Sequence, residues 1–136
     1  MKIYVPGALG ASIGNSLYER EGAMNNFEAT VITDIASLSN ISFWHRTLGR
    51  GKGFSINGFK SNHYPDFIAV SKSGIVIIIE TKGDDRDNSD SAAKCRLGNK
   101  WAELAGRNFL YFMVFDKKDI AGAYTVDKAK ELIRQL

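Results

Sequence analysis

The chain has 136 residues, 44% of them hydrophobic and 24% charged, the size and balance of one ordinary globular domain. Uninterrupted apolar runs such as Ile75 to Ile79 fall far short of the ~20 residues that cross a bilayer, and the opening does not read as a charged-then-apolar leader. Cys95 is the single cysteine, which excludes an internal disulfide, so the expected setting is reducing and cytoplasmic.

Lys and Arg number 18 against 15 Asp and Glu, a net charge of +3 that permits a polyanionic partner without demanding one. The distribution is more informative. Between Ile35 and Pro65 there is no acidic residue, while Arg46, Arg50, Lys52 and Lys60 all fall there. From Glu80 to Asp90 the run ETKGDDRDNSD carries five acids. The first stretch suits phosphate and the second suits a cation.

Residues 1–24, rich in Gly, Ala and Ser, read as an appendage to a domain at 25–136. Asn25 and Asn26 are good helix caps, and Phe27, Val31, Ile35 and Leu38 recur at helical spacing, predicting an amphipathic helix that ends near Asn40. ISFWHR (41–46) and FSIN (54–57) read as short strands around the glycine-spaced basic link TLGRGKG. PDFIAVS and IVIIIETK are stronger strands, and Lys72-Ser73-Gly74 between them suits a three-residue hairpin loop with Gly in the left-handed position. Asp90 is the expected cap of a second helix whose Ala93, Leu97, Trp101 and Leu104 form one stripe ending near Gly106. NFLYFMVFD (108–116) follows as a buried strand, and Thr125 caps a last helix with Val126, Ala129, Leu132 and Ile133 inward. This order predicts an α/β domain with a mixed central sheet flanked by helices.

The hairpin carries the chemistry. A three-residue loop pairs Ser71 with Ile75 and so sets Asp66 opposite Glu80, with their Cβ atoms ~4.5 to 5.5 Å apart. Lys82, two residues beyond Glu80, projects from the same face. Two ionised carboxylates at that separation repel, and a divalent cation resolves the conflict. Mg²⁺, which takes one or two carboxylates and keeps several waters, suits the donors, with Mn²⁺ as a substitute and the Thr81 carbonyl as a further ligand. Such an ion activates water and stabilises a phosphorane, while Lys82 orients or helps deprotonate the water. The competing reading is an ordinary polar strand end in which Glu80 pairs with Lys82.

YPDFIAV, thirteen intervening residues after Asp66, and then ETKG resemble the PD-(D/E)xK nuclease superfamily. HRTLGRGKGFSINGFKSNHYPDF and KCRLGNKWAELAG around them resemble the C-terminal nuclease domain of DEAD/DEAH-type helicases related to type III restriction enzymes. The resemblance spans roughly residues 27–116. It implies a restriction-endonuclease-like fold and a Mg²⁺-dependent endonuclease within a helicase-associated or restriction system. It also implies Asp66 and Glu80 as metal ligands, Lys82 as the catalytic lysine and Glu28 as a further acid on the first helix. DNA, a helicase motor or subunit and a second copy of the chain are the implied partners, and by resemblance Lys94 approaches the scissile phosphate. A non-catalytic DNA-binding module is the alternative.

Arg46, Arg50, Lys52 and Lys60 are expected on the DNA backbone, giving low sequence specificity. His45 and His63 make no zinc site without further ligands and are open to phosphate contact or plain strand and turn roles. DDRDNSD lacks the Gly and Glu of a calcium loop. Trp44, Phe54, Phe59 and Tyr64 are candidates for base stacking or for the core.

Overall fold

The computed structural model describes residues 10, 13–18, 20–48, 53–58, 62–86 and 88–136. The predicted α/β class holds. Helix α1 (Asn26–Ala36) leads into strands β1 (Ile41–Arg46), β2 (Phe67–Ser71) and β3 (Val76–Lys82). Helix α2 (Ser89–Ala105), β4 (Phe109–Phe115), β5 (Tyr124–Thr125) and α3 (Val126–Arg134) complete the body. The five strands form one sheet in chain order, antiparallel from β1 to β3 and parallel from β3 to β5.

Residue alternation divides the core between two faces. Phe67, Ala69, Ile77, Ile79, Phe112 and Val114 pack with α1 and α3; Ile78, Tyr111, Met113 and Phe115 pack with Cys95 of α2 and with Ile56. The hairpin register is the one that the loop length predicts. Phe67 pairs with Ile79 and Val70 with Val76, and Gly74 turns the chain at a φ of +88°.

Helix α1 begins with a reciprocal capping box between Asn25 and Glu28 and stops at Ala36, four residues before the expected Asn40. Helix α2 is capped by Asn88 rather than Asp90, and its expected stripe is met in part, with Leu97 and Trp101 packed against the core. Ala93 and Leu104 are exposed, while Ser91, Cys95 and Gly98 are buried. Small residues let this helix come down onto the sheet. A Cβ at Gly98 would stand 2.2 Å from Tyr111 Cζ. FSIN forms no strand of its own; Ile56 makes one isolated antiparallel bridge to His63.

The opening segment is also more integrated than an appendage. Ser16 bridges Trp44 in parallel, Leu17 N–H donates to the Trp44 carbonyl at 2.8 Å, and the Trp44 indole donates to the Gly14 carbonyl at 2.9 Å. Asn15, at a φ of +63°, donates from its amide to the Ala36 carbonyl. These bonds meet the otherwise unpaired edge of β1, so the described residues 13–18 join the domain. No helix among the described residues is long and apolar enough to cross a membrane.

Candidate active site

At the end of the sheet, where β3 runs out and α1 begins, lies an open cleft of about 550 Å³. Asn25, Asn26, Phe27 and Glu28 line it from the first turn of α1; Asp66, Glu80, Thr81, Lys82, Gly83 and Asp85 line it from the hairpin and the loop beyond. The four residues expected to do chemistry, Glu28, Asp66, Glu80 and Lys82, thus share one cavity. Lys94 on α2 pairs with Asp90 at 3.4 Å and contributes positive charge to the surroundings of Glu80.

Asp66 is held tightly. Its Oδ2 accepts from the Thr81 backbone N–H and from the Thr81 hydroxyl, both at 2.8 Å. Burial pushes its carboxyl upward, but hydrogen bonds from Glu80 and Thr81 together with the Arg46 charge outweigh burial and leave it below the usual aspartate range. Glu80 moves the other way. Burial raises its carboxyl well above the usual glutamate range, and the neighbouring Asp66 charge and hydrogen bond add to that, against Lys94 and Lys82. The two carboxyls are thus pushed in opposite directions, as expected of a closely coupled acidic pair.

Behind Glu80 stand His63 and Tyr111, a pairing not expected from the sequence. His63 is only 1% exposed, and its Nε2 lies 2.7 Å from the Tyr111 hydroxyl. Its Nδ1 lies 3.8 Å from Glu80 Oε2 and has no hydrogen-bond partner among the described residues. Burial, then the Lys94 charge, holds this imidazole down to about 4, so it is neutral at pH 7. Burial and then the Glu80 charge push the Tyr111 hydroxyl up, keeping it protonated. His63 lies behind Glu80 without a hydrogen bond to it and is too buried to touch phosphate directly.

Several side chains lie elsewhere than expected. Arg46 reaches into the acids instead of facing outward, with Nη1 at 2.5 Å from Glu28 Oε2 and 3.3 Å from Asp66 Oδ1. The long connection from β1 to β2 hid this from the sequence; the observed register pairs Arg46 with Phe67, one residue from Asp66. Thr81, expected to offer its carbonyl, also donates its N–H and hydroxyl to Asp66. His45 pairs with buried Glu21 at 3.0 Å. Trp44 is a core residue against Phe67, and Phe54 packs on Trp101, so neither is presented for stacking on a base. Arg50, Lys52, Lys60 and Phe59 lie outside the described residues.

Among the described residues no three His, Cys, Asp or Glu side chains group closely enough to hold a cation by themselves, Glu28 being turned to Arg46. Comparison of the chain with models of protein families, with curated proteins and with solved structures found no match.

Proposed function

We propose that the protein is a Mg²⁺-dependent endonuclease of the PD-(D/E)xK type, with a restriction-endonuclease-like arrangement of its mixed sheet and DNA as substrate. One observation carries the reading: the hairpin register brings Asp66 against Glu80 at the sheet end, in a cleft that also holds Lys82 and Glu28. Two acids set against one another, one of them buried, are a costly arrangement for a mere strand end.

The donor set fits magnesium, which accepts one or two carboxylates and fills its remaining positions with water and phosphate oxygens. Asp66 and Glu80 would hold the ion with Glu28 as a further acid beside it, and the ion would supply Lewis-acid activation of water and of the phosphoryl group. Thr81 fixes the Asp66 carboxylate, while His63 backs Glu80. The Lys82 ammonium, on the cleft wall, is placed to orient the attacking water and to offset charge on the phosphate. Lys94, beside the same acids, adds positive potential for the backbone of the nucleic acid. Arg50, Lys52 and Lys60 would extend that track and position DNA without reading bases.

Plasmid cleavage with and without Mg²⁺ tests the proposal, alongside Asp66→Ala, Glu80→Ala and Lys82→Ala. Each variant should fold and lose cleavage, because the three act as a unit. The carboxylate variants should also lose calorimetric Mg²⁺ or Mn²⁺ binding, which Lys82→Ala keeps. Cleavage retained by any two variants overturns the assignment, and DNA binding without cleavage by the parent points to a non-catalytic DNA-binding module. A lone metal site cuts one strand at a time, so nicked circles should precede linear product, and a motor or a second copy should raise the rate through effective concentration.

A further inference from the structure

Glu28 and Asp66 have four carboxylate oxygens, and donors of Asn25 and Thr81 occupy two of them. Glu28 Oε1 accepts from the Asn25 backbone N–H at 2.9 Å, as half of the capping box. Asp66 Oδ2 accepts both donors of Thr81. The other two oxygens, Glu28 Oε2 and Asp66 Oδ1, converge on one atom, Arg46 Nη1. The atoms free to ligate are those held by a cation from the chain itself.

We propose that Arg46 is an internal counter-ion that keeps Glu28 and Asp66 assembled until a divalent cation displaces it, so that Mg²⁺ and the guanidinium compete for the same two oxygens. This rests on the metal-dependent reading above. Without any cation, two largely buried carboxylates facing one another would pull the start of α1 away from the hairpin. A guanidinium stays charged across the physiological range, so proton loss cannot release it; a competing cation can. Arg46 is the last residue of β1, its side chain is 20% exposed, and its guanidinium carbon lies 5.2 Å from the centre of the Phe67 ring. It therefore has an aromatic face to lean on and an open side through which to leave. Once released at the cleft mouth, it becomes available to phosphate, the role that its acid-free stretch of sequence suggested.

The test is calorimetric titration of Mg²⁺, and separately Ca²⁺, into the parent and into Arg46→Met, which keeps an unbranched stem over Phe67. At constant ionic strength the variant should bind the ion about tenfold more tightly. It should also melt at a lower temperature without metal and gain a larger upward shift from it than the parent does. Equal or weaker affinity in the variant overturns the competition and leaves the metal reading standing; binding by neither protein overturns both. A second measurement needs no variant: an arginine-selective dicarbonyl, with adducts located by mass spectrometry, should modify Arg46 faster in the parent when Ca²⁺ is present. Unchanged or slower modification also overturns the proposal.

Discussion

Gly98→Ala offers a test of how the second helix serves the site. In an open helix this change stabilises by about 1 kcal/mol through propensity alone. Here the new Cβ would meet Tyr111 Cζ at 2.2 Å and both Cε atoms at 2.4 Å, where carbon atoms ordinarily approach to about 3.5 Å. The ring would have to retreat by more than an ångström. Tyr111 is 4% exposed on the inner strand β4, stacked edge-on against His63 and hydrogen-bonded to it. Overpacking of this kind costs about 1–3 kcal/mol, and breaking the bond to buried His63 about 1–3 more. With the propensity gain subtracted, the variant should be less stable by about 1–5 kcal/mol, or roughly 10 °C in Tm at the middle of that range for a chain of this length. Urea denaturation followed by fluorescence and circular dichroism measures this, and in a Tyr111→Leu background the same Gly98→Ala change should cost under about 1 kcal/mol. A single variant as stable as the parent, or more so, would show that the helix does not rest on Tyr111 as described.

The remaining expectations concern charge and the first segment. His63 is depressed from 6.5 to about 4, so its contribution is complete above pH 6.5 and is lost as pH falls toward 4, a span worth about 3 kcal/mol; denaturant titrations should show His63→Gln losing that part of the slope. Glu80 acts in the opposite sense because its raised carboxyl takes up a proton on folding, so stability falls as pH rises above the ordinary glutamate value. Glu80→Gln should therefore be more stable than the metal-free parent at pH 8 and lose stability more steeply toward pH 5. Deleting residues 1–24 should lower Tm and shift Trp44 fluorescence to the red, since Gly14, Asn15 and Ser16 cover that strand edge; an unchanged spectrum would return the segment to the status of a tail.

Glycine and proline punctuation, cap residues and hydrophobic period made α1, the β2–β3 hairpin and α3 readable, because each is determined by contacts close in sequence. The same locality made Asp66, Glu80 and Lys82 legible, since a three-residue turn leaves only one register. Arg46 was hidden because no tight turn fixes β1 against β2. The face of α2 was misjudged for a different reason. Hydrophobicity singles out Leu104 and Ala93, yet close approach to a sheet is made by Ser91, Cys95 and Gly98, whose small size carries little hydropathy signal. His63 gave no signal at all, because its value lies in a tertiary contact with Tyr111, 48 residues away.

The turn at Lys72-Ser73-Gly74 works as a gauge block for the distant carboxylates. It lies five residues from the Asp66 and Glu80 pair, about 17 Å along the strands. Adding or removing one residue there leaves every side chain of the candidate site present in the sequence. Yet the new register would slide Glu80 past Asp66 or turn it to the opposite face of the sheet. The spacing between the two acids is therefore under a stricter length constraint than their own identities, and a one-residue insertion at this surface loop should be as damaging to the site as replacing either carboxylate.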